Sequence, residues 1–186
     1  MGKARELAEQ RKLYCIAADD PLRSVDELTE ICRTYLDKKI QIVKLEINKD
    51  ESPVLGAAIL LEGNHYDICH VQDLNYCWQR FVICKELFHV ILDEEKYRNM
   101  GISDHVDEVT VAFPDDNSTP SVPVMSEILA ELAAMEYLFP YAERVQEVAS
   151  KNGNLNSKAV AEKFKVPIVF IERYLSTSYM DALKDF

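Results

Sequence analysis

Positive charge is scarce in this sequence. Its 186 residues contain 21 Lys and Arg against 32 Asp and Glu, which gives a formal net charge of −11. Because binding to nucleic acid depends on Lys and Arg contacts to phosphates, this balance argues against a protein that binds nucleic acid directly. A net negative surface suits a soluble protein and favours a basic protein partner.

The sequence also lacks long apolar runs and paired cysteines. No stretch approaches the roughly 20 apolar residues of a membrane span. The charged residues 1–12 do not resemble a secretory signal. The number of cysteines is five, and none of them forms a CxxC pair. We therefore expect free thiols, a cytoplasmic location and no membrane association.

With 48 % hydrophobic residues, the chain should fold around a core. Its helical and strand periodicities predict an α+β protein. We expect a main domain over residues 1–152 and a C-terminal tail over 153–186 that packs on it. Two short turns separate three predicted strands, so the sheet is expected to be a short antiparallel meander packed by helices. The predicted helices are 3–17, 24–37, 75–92, 124–139, 141–150, 155–164 and 168–175, and the predicted strands are 40–47, 54–61 and 65–71. The last two helices predict a helix-turn-helix-like hairpin, for which packing is favoured over DNA binding.

Residues 93–123 are acidic and show little periodicity, apart from a possible short strand at 109–113. A connection of this length is often a lid or binding loop. A solvated insertion explains it equally well.

The segment from Phe81 to Leu92, FVICKELFHVIL, is the most informative part of the chain. Its only polar residues are Lys85, Glu86 and His89, and helical spacing places them on one narrow stripe. A helix that is apolar nearly all round is buried, so its charged side chains need partners. The segment therefore predicts a polar site that faces the core.

The spacing of this stripe matches part of a metal-binding motif. In HExxH, two His on one helix face bind zinc and the intervening Glu activates water. Here Glu86 and His89 occupy the matching positions, but Lys85 occupies the position of the first His, so that the sequence reads KExxH. His65 and His70 cannot easily form one metal site together, because five residues place them on opposite sides of a strand.

Several motifs in their order resemble the ImmA/IrrE family of zinc metallopeptidases. Two helices, a short sheet and the ExxH helix are followed by a helix reading E-x-x-A (Glu127 to Ala130) and ending at Leu138-Phe139-Pro140. The tail NSKAVAEKFKVPIVFIERYLS is similar to the closing segment of the family. The resemblance covers residues 22–175 and implies a zincin-like core.

The resemblance also implies roles for individual residues. His89 and Glu127 would be zinc ligands, and Glu86 would be the general base. Glu131 stands where the family has Asn, and we expect it to add a negative charge near the site. Lys85 must lose its proton to bind a metal, and neighbouring carboxylates oppose that loss. Its ammonium is more simply explained as a replacement for the metal charge, paired with Glu127 or Glu131.

Three functions remain open at this stage. In the first, the chain is a non-catalytic or weakly catalytic member of the fold, a pseudoenzyme that binds a protein partner, with zinc absent or weakly bound. In the second, it is an active zinc endopeptidase with a third ligand from elsewhere, such as His105. The resemblance would make its substrate a helix-turn-helix repressor that controls stress or phage genes. In the third, the polar stripe is a structural ion-pair network in an interaction domain.

Overall fold

The computed structural model describes residues 23–48, 50, 54–92, 122–150 and 155–184. The predicted helix 3–17, the acidic stretch 93–121, the possible strand 109–113, His105 and the predicted helix end at 152–153 lie outside these ranges. The described residues form an α+β fold of seven α-helices and one three-stranded sheet. In chain order the elements are α1 (Val25–Tyr35), β1 (Lys39–Leu45), β2 (Gly56–Leu60), β3 (His65–Val71), α2 (Tyr76–Ile91), α3 (Val122–Leu138), α4 (Tyr141–Ser150), α5 (Ser157–Phe164), α6 (Ile168–Tyr174) and α7 (Thr177–Ala182).

Local capping signals determine where the first helices begin. Ser24 caps α1: its hydroxyl accepts from the Glu27 N–H at 3.0 Å, and the Glu27 carboxylate accepts from the Ser24 N–H at 3.2 Å. This is the capping box that the sequence predicts. Asn75 caps α2 by accepting from the Trp78 N–H at 3.1 Å. The predicted boundaries of both helices are therefore close to the observed ones.

The sheet differs from the predicted antiparallel meander, which was wrong. Its strand order is β1-β3-β2, with β1 parallel to β3 and β2 antiparallel to β3. The tight turn at Glu62–Asn64 does join β2 and β3 as a hairpin, with Gly63 at a φ of 66°. The connection from β1, however, leads past β3 to the far edge of the sheet.

Burial explains why β3 takes the central position. Tyr66 and the four residues from Ile68 to Val71 are buried, so this strand is covered on both faces. The outer strands have more exposed side chains, including Ile42 on β1 and Ile59 on β2. A strand that is apolar on both faces gains most from a central place, where both of its edges are paired and both faces are covered.

Helix α2 is the centre of the fold and is buried over most of its surface. It contacts α1, α3, β2 and β3. Its buried apolar side chains are Phe81, Val82, Ile83, Cys84, Leu87, Phe88, Val90 and Ile91. The buried Arg80 joins α2 to the C-terminal helices, because its guanidinium donates to the carbonyl oxygens of Phe164 and Lys165, each at 2.8 Å.

The two helices predicted around residues 165–167 are present as α5 and α6. Lys165 ends α5 in a left-handed conformation with a φ of 52°. The following helix, α7, was not predicted, although Ser176 is a cap signal, since its hydroxyl accepts from the Tyr179 N–H at 3.4 Å. Within the described ranges, no helix combines the length and the apolar character required for crossing a membrane.

Candidate functional site

The polar stripe of α2 faces α3. Lys85, Glu86 and His89 extend from α2, and Glu127 extends from α3 across the space between the helices. Glu86 is buried, whereas the side chains of Lys85, His89 and Glu127 are 21 %, 18 % and 20 % exposed. The four side chains therefore form one cluster at the edge of the core, partly open to solvent.

Glu127 is the centre of this cluster. Its Oε2 lies 2.5 Å from Lys85 Nζ, and its Oε1 lies 3.1 Å from His89 Nε2. Lys85 Nζ also donates to Glu86 Oε1 at 3.1 Å. One ammonium thus bridges two carboxylates, and the second oxygen of Glu127 contacts the imidazole.

Both ring nitrogens of His89 have neighbours from α3. Its Nδ1 lies 3.4 Å from the hydroxyl of Ser126. Its Nε2 is buried and close to Glu127, but the direction of approach is not that of a hydrogen bond to any described residue. Ser126 is a site residue that no sequence pattern indicates, because its contact with His89 depends on how α2 and α3 pack.

The ion pairs shift the pKa values of both partners. Burial disfavours the charged form of Lys85, but Glu86 and Glu127 outweigh burial and raise the pKa of this ammonium above its usual value. For Glu127, burial likewise opposes ionisation, while the His89 contact and the Lys85 charge prevail and lower its pKa to about 2. Lys85 is therefore a fixed cation and Glu127 a fixed anion at neutral pH.

Glu131 lies outside the cluster, contrary to the expectation that it would add charge near Lys85. Its carboxylate accepts from Arg173 Nη1 at 3.0 Å and from the Tyr174 hydroxyl at 3.1 Å, both on α6. Although Glu127 and Glu131 share a helix face, one helical turn separates them along α3. The cation available at that turn is Arg173, so Glu131 joins α3 to α6.

Strand β2 packs directly beside the cluster at Gly56. A Cβ at this position would collide with Val82 Cγ1 and would lie 3.3 Å from Glu86 Cγ. Glycine thus lets the start of β2 approach α2 closely enough to cover the Glu86 side chain. The sequence pattern predicts Gly56 within a strand, and nothing in that pattern connects it with Glu86.

The two strand histidines lie away from this cluster. His70 is buried, with Nδ1 2.9 Å from the Val71 carbonyl oxygen and Nε2 3.4 Å from Gln79 Nε2. His65 is partly exposed, and its Nε2 lies 3.8 Å from Asp67 Oδ1. Their contacts differ, as expected for side chains on opposite faces of one strand.

Among the described residues, the donor set of the cluster falls one ligand short of a catalytic zinc site. Such a site takes three protein ligands with available lone pairs. His89 and Glu127 supply two, while the ammonium of Lys85 has no lone pair and already binds Glu127 at 2.5 Å. Among the described residues, no group of three or more His, Cys, Asp or Glu side chains is arranged to hold a metal.

No protein-family model matches the chain, and no curated protein matches it.

Proposed function

We propose that the chain is a non-catalytic relative of the ImmA/IrrE metallopeptidases that acts as a regulatory protein-binding module. In this proposal Lys85 replaces the charge of the metal and holds the former ligands together. The observation that carries the proposal is the position of Lys85 Nζ, 2.5 Å from Glu127 and 3.1 Å from Glu86. A single ammonium there contacts one implied zinc ligand and the implied general base.

The state of Glu86 also supports a non-catalytic role. A general base must have a free carboxylate oxygen within reach of the water that it activates. Glu86 is buried beneath β2 and accepts a hydrogen bond from the Lys85 ammonium. The ammonium therefore occupies Oε1 of Glu86, an oxygen that a general base would need for its water.

A zincin-like core is supported by the arrangement of the elements around α2. The sheet packs against α2 through β2 and β3, and α3 brings Glu127 to the same end of α2 as His89.

The α5–α6 pair is a candidate helix-turn-helix-like hairpin whose role in this proposal is packing. Its exposed residues on α6 are Ile168, Val169 and Glu172, which offer no positive charge to a phosphate backbone.

A protein is the partner class that this surface fits best. Lys85, His89 and Glu127 remain about one-fifth exposed, so a partner segment can contact the cluster without entering the core. The chain carries a net charge of −11, which favours association with a basic protein. A helix-turn-helix repressor, whose DNA-binding face is basic, satisfies this requirement.

An active peptidase is the second candidate, and one observation favours it. His89 Nε2 is buried beside Glu127 without a well-directed hydrogen bond to any described residue. A nitrogen in that state is available to a metal if a further ligand completes the site.

A binding and cleavage experiment with a helix-turn-helix repressor from the same organism separates the two candidates. We expect the wild-type protein to form a complex with the repressor and to leave it intact, with or without added zinc. The Glu86→Gln variant should bind equally well, since Glu86 is buried. Zinc-dependent cleavage that Glu86→Gln abolishes would overturn the non-catalytic proposal, and absence of any complex would remove the repressor as the partner.

A further inference from the structure

The two faces of the sheet are buried in different surroundings. Ile40, Tyr66 and Ile68 lie on the face that α1 and α2 cover, and all three belong to the core cluster around α2. Cys69 lies on the opposite face, because side chains alternate along a strand, and its register partners on β1 and β2 share that face. We call the opposite face the outer face, and its residues include Val43, Ala57, Asp67, Cys69 and Val71.

The outer face is covered, although it is not part of the core around α2. Cys69 is 3 % exposed and Val71 is 1 % exposed, and neither belongs to the core cluster. Val43 and Ala57 beside them are half-buried. Among the described residues, the helices that pack on the sheet are α1 and α2, both on the other face. This burial points to a segment of the chain outside the described ranges as the cover.

The outer face also carries a carboxylate that needs a donor. Asp67 Oδ1 is buried and accepts no hydrogen bond from the described residues, and His65 Nε2 is too distant at 3.8 Å. Buried polar atoms in proteins are normally hydrogen-bonded. A segment that covers this face should therefore bring a basic or polar side chain to Asp67.

Residues 3–17, which lie outside the described ranges, have the length and the pattern for this role. Their sequence predicts an amphipathic helix. Residues 18–22 connect this segment to Arg23, just before α1, and can span up to about 20 Å. Because α1 contacts the edge strand β1, such a connection can pass around β1 to the outer face. The apolar side of the predicted helix carries Leu7, Leu13, Tyr14 and Ala17.

Charge favours this segment over the other long stretch outside the described ranges. Residues 3–17 contain four basic and two acidic side chains, a net charge of +2 in a chain whose total is −11. Residues 93–121 contain eight acidic and two basic side chains, a net charge of −6. The first segment is attracted to Asp67, and the second is repelled by it.

We propose that residues 3–17 form a helix that packs across the outer face, with the apolar side on Val43 and Cys69 and a basic side chain directed to Asp67. The Lys85 cluster lies beyond the other face of the sheet, between α2 and α3. This contact is therefore independent of the proposed function. Burial of apolar surface on both partners supplies the stabilisation.

Thiol labelling of the full chain tests the contact. We expect Cys69 to react slowly with a maleimide in wild type, and at least about tenfold faster in Tyr14→Glu, which places a charge on the apolar side. Ala8→Glu is the matched control, since it places the same charge on the other side of the predicted helix and should leave the rate unchanged. Cys84, which is 0 % exposed in the core around α2, reports unfolding if it reacts. A Cys69 rate that Tyr14→Glu leaves unchanged would overturn the proposal.

Hydrogen exchange approaches the contact from the sheet, and it decides the question if Tyr14→Glu unfolds the chain. Val43 and Ile42 are neighbours on β1 whose side chains point to opposite faces. Val43→Glu should speed amide exchange in residues 3–17 at least about tenfold, and Ile42→Glu should not. Equal effects of the two variants, or unprotected amides in wild-type residues 3–17, would overturn the proposal. So would a Cys69 thiol that becomes reactive only when sedimentation shows a dimer dissociating, which would assign the outer face to a second copy.

Discussion

At the scale of single residues, Lys85 decides how the site is interpreted. A metal-binding lysine must be neutral, and lowering a lysine pKa from about 10.4 to about 7 costs about 5 kcal/mol at ~1.36 kcal/mol per unit. The two carboxylates that contact Lys85 act in the opposite direction and raise its pKa. The chemistry of this residue is therefore that of a permanent ammonium, which compensates charge and does not coordinate.

The ion pair between Lys85 and Glu127 makes the stability of the folded protein depend on pH, because Glu127 titrates. Its folded-state pKa of about 2 lies below the ordinary value of 4.5. A lowered carboxyl pKa stabilises the folded protein above the unfolded-state value, and this stabilisation is lost as the pH falls towards the folded-state value. Glu127→Gln cannot titrate. As the pH falls, we therefore expect its free energy of unfolding to decrease by about 2 kcal/mol less than that of wild type, a figure that allows for the partial exposure of Glu127.

Urea unfolding of wild type and Glu127→Gln between about pH 5 and pH 2 measures this difference. Wild type should lose its advantage progressively over that range, and the two curves should converge at the acid end. Curves that remain parallel throughout would show that the Lys85–Glu127 pair does not stabilise the folded state.

At the scale of elements, the close approach of β2 to α2 depends on a single glycine. In Gly56→Ala the added Cβ would collide with Val82 Cγ1 and lie 2.9 Å from the Cys69 carbonyl oxygen. Because one of these neighbours is backbone, β2 must shift, and we expect a loss of about 1–3 kcal/mol in the free energy of unfolding. Urea unfolding at neutral pH provides the measurement.

Gly63→Ala is the control for this substitution. No atom lies within 4 Å of a Cβ at Gly63, whose φ is 66°. Only the left-handed conformation then opposes alanine, at a cost of about 1 kcal/mol. If Gly63→Ala destabilised the protein more than Gly56→Ala, packing between β2 and α2 would not be the constraint that we describe.

The elements that could be predicted from sequence are those with local signals. The capping box at Ser24 and Glu27 and the apolar run of α2 each determine structure over a few residues, and both predictions agree with the structure. Strand order is a non-local property. Two short connections favoured a meander, but the burial of β3 on both faces placed it between β1 and β2.

The candidate site was predictable to a similar extent. Helical spacing brought Lys85, Glu86 and His89 onto one stripe, and the resemblance to the ImmA/IrrE family implied Glu127 as their neighbour. The same reasoning failed for Glu131, since no local pattern indicates that Arg173 of α6 lies at that turn of α3. Ser126 beside His89 was missed for the same reason, because its role depends on how α2 and α3 pack.

At the scale of the whole molecule, buried arginines connect the helices around the site. Arg80 binds the α5–α6 turn, and Arg23 donates to the carbonyl oxygens of Glu136 and Tyr137 at the end of α3. Arg144 ties α4 to the same end of α3 through Glu136. The Arg80 guanidinium also donates to the Arg23 carbonyl oxygen, so the two arginines link α2 to the end of α3.

The central claim is that Lys85 occupies the role of a metal in this arrangement, and zinc content per chain tests it most directly. Elemental analysis would compare purified wild type with Lys85→His and with Lys85→His combined with Glu127→Gln. We expect no stoichiometric zinc in wild type, about one zinc per chain in Lys85→His, and loss of that zinc in the double variant. One zinc per chain in the wild-type protein, removed by Glu127→Gln alone, would contradict the account.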